Sequence, residues 1–127
     1  MTDSINRLYQ AANACRNDDP STSRTARLLR SGRSKMAKKL AEEAVEVVID
    51  AMHGDRNAVI KESADLIYNL VVLWVSTGIR PEDVWKEMER RERLLGIAEK
   101  VPKKKLVDDT SRRKIVVLEG RRVHKRR

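Results

Sequence analysis

Two acidic clusters, Glu42-Glu43-x-x-Glu46 and Glu62-x-x-Asp65, flank a helix-stop and helix-start signal at Gly54-Asp55. Residues three apart share one face of a helix. At about 100° per residue, Glu43, Glu46 and Asp50 fall within a stripe about 60° wide, with Glu42 to one side. Counted from Glu62, Asp65 and Asn69 make a stripe of the same shape. If the two helices pack antiparallel across the glycine turn, four carboxylates meet. Their mutual repulsion calls for a cation, and an all-oxygen ligand set suits magnesium or manganese rather than zinc. A solvated acidic face is the other reading of the spacing taken alone. Two neighbours argue for a site. The second stripe lies on an otherwise apolar helix, and the first directly follows seven basic residues.

Those seven (Arg24, Arg27, Arg30, Arg33, Lys35, Lys38, Lys39) fill residues 20–39 with no acidic residue among them. A cationic strip beside a metal nest suits a polyphosphate, because the strip neutralises some oxygens while the metal bridges others. The rest of the net charge of +9 lies elsewhere. Residues 1–98 carry 16 basic and 15 acidic side chains, whereas residues 99–127 carry 12 and 4. The expected organisation is therefore a balanced domain over 1–98 and a basic extension over 99–127. That extension holds the only strand-like segment, Lys114 to Leu118. A solvated terminus is its ordinary reading, and nucleic-acid binding is the alternative.

Aromatics make up 3% of the chain and Phe is absent, so the core must be built from Leu, Val, Ile, Ala and Met. The periodicity predicts an all-α, antiparallel bundle of about four main helices. The first covers residues 3–17, and a short helix follows from Ser23 to Leu29. The second main helix starts from Ser34 as N-cap and runs to His53, with Met36, Leu40, Ala44, Val47, Val48 and Ala51 facing the core. The third has Asp55 as N-cap and runs to about Thr77, and the fourth runs from Glu82, with Pro81 fitting its first turn, to about Leu95. A hairpin set of this size completes its core by dimerisation. One cysteine, Cys15, excludes an intrachain disulfide and reads as a small core residue. The longest apolar run, Leu66 to Val75, is too short to span a bilayer. With no basic-then-apolar leader, a reducing, cytoplasmic setting is expected and no membrane partner. His53 reads as a helix-end residue and Tyr68 as a core residue that can also stack on a base.

The pattern EExxE, then ExxD across the Gly54 turn, resembles the MazG-like all-α nucleotide pyrophosphohydrolases. Three blocks narrow the likeness: Ser-Arg-Thr-Ala-Arg-Leu-Leu (23–29), Lys-Met-Ala-Lys-Lys-Leu-Ala-Glu-Glu-Ala-Val-Glu-Val-Val (35–48) and Glu-Ser-Ala-Asp-Leu-Ile-Tyr-Asn-Leu (62–70). They are similar to phosphoribosyl-ATP pyrophosphohydrolases over about Ile5 to Arg91. The resemblance implies Mg²⁺-dependent hydrolysis of the α–β anhydride of phosphoribosyl-ATP to phosphoribosyl-AMP and pyrophosphate, in histidine biosynthesis, by a homodimer. It implies Glu43, Glu46, Glu62 and Asp65 as metal ligands. Glu42 would lie beside them or act as base, which makes Glu42 and Glu43 the catalytic pair. Arg24, Thr25, Arg27, Lys35, Lys38, Lys39 and Asn69 would contact the substrate and its phosphates. Ala41, Asn69, Arg24 and Ser34 stand where the family more often has Gly, His, an aromatic and an acidic residue. Those departures keep open a house-cleaning pyrophosphohydrolase for another nucleotide. A different class, a non-catalytic helical dimer that binds nucleic acid through its tail, rests on the tail charge alone.

Overall fold

The computed structural model of the chain describes residues 3–95; the basic extension and its strand-like segment lie outside the described residues. Local signals set each helix boundary. Asp3 caps α1 (Ser4–Ala14) by accepting from the Asn6 amide at 3.1 Å. A single 3-10 turn, Cys15–Asn17, follows. Ser23 caps α2 (Arg24–Arg30) through the Ala26 amide at 3.0 Å. The long helices are α3 (Arg33–Met52) and α4 (Arg56–Thr77), and α5 spans Pro81–Leu95.

The turn between α3 and α4 is built as expected. Gly54 takes φ 72°, a left-handed conformation that costs a residue without Cβ little. The following Asp55 amide reaches back to the Asp50 carbonyl at 3.1 Å, closing the end of α3. Asp55 then caps α4 through the Ala58 amide. The start of α3 differs from expectation. Its N-cap is Gly32 at φ 101° rather than Ser34, and the Met36 amide already donates to the Gly32 carbonyl at 3.1 Å. The first helical bond therefore forms two residues earlier than a side-chain cap would suggest.

Contacts divide the chain into residues 1–84 and 85–127. In the first unit α3 and α4 form the principal hairpin, α1 packs on α4, and α2 touches both long helices. Among the described residues the apolar core comprises Ala12, Ala26, Met36, Val71, Val72, Trp74 and Val75. Most come from the second half of α4, which is enclosed on several sides as its composition implied. The predicted core face of α3 needs one correction. Met36 is 3% exposed, but Val48 is 60% exposed and Ala51 also faces out. Val48 is instead one of the exposed large apolar side chains, with Val45, Ile49 and Met52 on α3 and Ile60 and Ile67 on α4. In the second unit the described part of α5 is laced by Glu87, which accepts from Arg90 at 3.1 Å and Arg91 at 3.0 Å. Among the described residues no helix is long and apolar enough to cross a membrane.

Met36 is the side chain of α3 sealed in this core, so Met36→Ala is expected to lower stability by about 2–5 kcal/mol in urea denaturation.

Candidate active site

The α3–α4 hairpin places Glu43, Glu46 and Asp50 across from Glu62 and Asp65. The carboxylates meet as two overlapping triads. Oxygens of Glu43, Glu62 and Asp65 lie within 4.8 Å of one another, and so do oxygens of Glu46, Asp50 and Glu62. Glu62 belongs to both. The structure thus gathers the four expected ligands and adds Asp50. Its position seven residues beyond Glu43 was the signal for this, because two turns of helix return to nearly the same face.

Glu62 shows the strain of this arrangement. Its Oε1 is sealed from solvent and has no hydrogen-bond partner. A proton held against the Glu43 carboxylate, partial burial, and repulsion from Glu43, Asp65 and Glu46 push its pKa up to about 7. The only cation bonded to the cluster among the described residues is Lys39, whose Nζ stands 3.9 Å from Glu43 Oε2. A buried oxygen without a donor, ringed by further carboxylate oxygens, is the chemistry of a hard divalent-cation site.

Beside the carboxylates is a groove of about 430 Å³ lined by Arg24, Arg27, Leu28, Ser31, Lys35, Lys38, Lys39 and Glu42. Five of the seven expected substrate-contacting residues are in it. Glu42 faces the groove rather than joining either triad, as its offset on the helix required. Ser31 and Leu28 were not singled out from the sequence; Leu28 lies four residues after Arg24, hence on the same face of α2.

The other two expected contacts are placed differently. Asn69 is 1% exposed, and its amide donates to the Asp65 carbonyl at 2.8 Å. It shares the angular stripe of Glu62 and Asp65 but sits where α4 has entered the core, so it braces the turn that carries Asp65 instead of reaching the groove. Its Oδ1 is buried without a partner. Thr25 is half-buried, its hydroxyl 2.7 Å from the Tyr68 hydroxyl. The Arg24 guanidinium lies 5.0 Å from the Tyr68 ring centroid.

The family model for phosphoribosyl-ATP pyrophosphohydrolase matches residues 5–92. The chain belongs to this family. It is 62% identical to phosphoribosyl-ATP pyrophosphatase 2 of Rhodopseudomonas palustris over the whole of both chains. It is 64% identical to phosphoribosyl-ATP pyrophosphatase 2 of Bradyrhizobium diazoefficiens over 99% of each. The likeness to phosphoribosyl-ATP pyrophosphatase of Gluconobacter oxydans is 52% over 80% of this chain and 78% of the relative. The first two matches run through the basic extension, which lies beyond the family model.

The raised pKa gives a test of the carboxylate cluster without substrate. A carboxyl titrating at about 7 when folded and near 4.5 when unfolded retains its proton in the folded state over that window. The contribution of Glu62 to the stability of the metal-free protein is therefore fully present below pH 4.5 and is lost as pH rises through 7. Glu62→Gln removes the charge, so it is expected to raise the metal-free Tm at pH 8 and to change it little at pH 5. Thermal melts at the two pH values check this.

Proposed function

We propose that this chain hydrolyses the α–β phosphoanhydride of phosphoribosyl-ATP to phosphoribosyl-AMP and pyrophosphate, as a cytoplasmic step of histidine biosynthesis. The observation that carries the reading is the pairing of the Glu62-centred carboxylate nest with the cationic groove. Glu43, Glu46, Glu62 and Asp65, with Asp50 beside them, would hold magnesium, and manganese would suit the same oxygens. Such an ion, when bound, offsets phosphate charge and lowers the pKa of a coordinated water.

The protein's own groups do the rest. Arg24, Arg27, Lys35 and Lys38 hold the polyphosphate along the groove, so the anhydride is delivered to the carboxylate edge. Lys39 lies at the junction, paired with Glu43 yet lining the groove, where it meets the phosphate nearest the reacting bond. Water adds to the α-phosphorus, the bond to the bridging oxygen breaks, and pyrophosphate leaves with the bonding pair. Basic side chains of the groove offset the charge growing on the departing group. Glu42, at the end of the groove next to the nest, takes the proton of the attacking water.

The relatives are named for phosphoribosyl-ATP, and their likeness covers the groove as well as the carboxylates. This favours that substrate over a damaged or canonical nucleoside triphosphate. The test is release of pyrophosphate by the purified protein with Mg²⁺. Phosphoribosyl-ATP is expected to be cut with a kcat/KM at least tenfold above ATP or dUTP, and Glu43→Gln or Asp65→Asn is expected to lower it by at least ~100-fold with helicity retained. Full activity of either variant at limiting Mg²⁺ would falsify the ligand assignment.

The working unit is a homodimer. Val45, Val48, Ile49 and Met52 on α3 and Ile60 and Ile67 on α4 are exposed apolar side chains, and on each helix they lie on the side opposite the carboxylate stripe. Met52 alone is 80% exposed. A second copy of the chain covers these side chains and leaves the carboxylates open. Sedimentation of the wild type is expected to give a dimer. Val48→Asp is expected to give monomer; a wild-type monomer at micromolar concentration contradicts the pairing.

A further inference from the structure

Helix α2 has seven residues, too short to be stable by itself, yet it carries Arg24, Arg27 and Leu28 of the groove. Its position must therefore come from what it touches. One anchor is apolar: Ala26 is fully buried. The other is Tyr68, which makes two contacts with adjacent residues of α2. Its hydroxyl is 2.7 Å from the Thr25 hydroxyl, and its ring lies under the Arg24 guanidinium at 5.0 Å.

Tyr68 sits on α4 three residues after Asp65, so it is Asp65's neighbour one turn on and flanks the carboxylate stripe. One side chain thus ties the carboxylate helix to the helix that lines the phosphate groove. The chemistry of the stack suits an oriented phosphate ligand. A ring face holds the flat side of a guanidinium, while the N–H groups along its edge stay available for two phosphate oxygens. Among the described residues Arg24 pairs with no carboxylate, so the ring is what orients it.

We infer that Tyr68 is a positioning residue for the polyphosphate: its hydroxyl fixes the start of α2 through Thr25, and its ring aims Arg24 into the groove at a set distance from the Glu62 and Asp65 carboxylates. The inference rests on the anhydride-hydrolysis reading above and adds a specificity-bearing contact to it. The Tyr68 ring supplies the aromatic partner that gives the arginine a fixed place.

The experiment combines kinetics with binding of inorganic pyrophosphate in the presence of Mg²⁺, measured by calorimetry. Tyr68→Leu is expected to raise KM for phosphoribosyl-ATP about tenfold and to weaken pyrophosphate binding similarly, with kcat within about twofold of wild type. Thr25→Val and Tyr68→Phe, which preserve shape, are expected to raise KM about threefold, and Thr25→Ser to restore it. In an Arg24→Ala background, Tyr68→Leu is expected to add almost nothing, because it acts through the arginine. Unchanged KM and pyrophosphate affinity in both Tyr68→Leu and Thr25→Val overturns the inference. So does a fall in kcat alone, full additivity with Arg24→Ala, or failure of Thr25→Ser to restore. A wild-type protein inert on phosphoribosyl-ATP refutes the substrate instead, and the pyrophosphate measurements then decide on Tyr68 independently.

Discussion

Glu62 has carboxylate neighbours in two directions: Glu43 and Asp65 in one triad, Glu46 and Asp50 in the other. Two long helices must lie side by side, in one register, for its oxygens to be within 4.8 Å of both sets. The turn at Gly54 and Asp55 sets that register, and the enclosed half of α4 holds it. Helix–helix packing thus brings together charges that would separate if free. The cost is visible in the buried, unpartnered Oε1 and in the proton that Glu62 keeps to about pH 7. A divalent cation would relieve the repulsion, the orphaned oxygen and the displaced pKa at once, which is the physical basis of the proposed metal site.

The surfaces of the hairpin divide the remaining tasks. One edge presents carboxylates. Next to it, α2 and the first turns of α3 present arginine and lysine to a single groove, and Lys39 belongs to both regions. Apolar side chains are exposed at Val45, Val48, Ile49 and Met52 on α3 and at Ile60 and Ile67 on α4. In the proposed homodimer a second copy would cover such side chains and add to a small core.

Much of this was legible in the sequence, because it follows from local rules. Helical spacing puts Glu43 with Glu46 and Glu62 with Asp65; Gly54 and Asp55 are a stop and a start that need no tertiary information. What angle cannot convey is depth. Asn69 shares the stripe of Glu62 and Asp65 but lies one turn further along α4, where the core closes over it. Val48 has the spacing of a core residue, yet it points to the side of α3 that no element of residues 3–84 covers. The Gly32 cap of α3 escaped notice because a cap without a side chain leaves no polar signature, and Ser34 offered one nearby. The Thr25–Tyr68 contact joins residues 43 positions apart and is set by how α2 docks. No periodicity encodes it.

The central claim is that the proton on Glu62 and a divalent cation compete for the same oxygens. The most direct measurement is a titration of Mn²⁺ into the metal-free protein, followed by electron paramagnetic resonance for binding and by a pH indicator for released protons. Binding at pH 6 is expected to release about one proton per site, and at pH 8.5 almost none, with affinity rising between the two. Tight binding with no proton released at pH 6, or no binding at either pH, would show that the Glu62 nest is not where the metal sits.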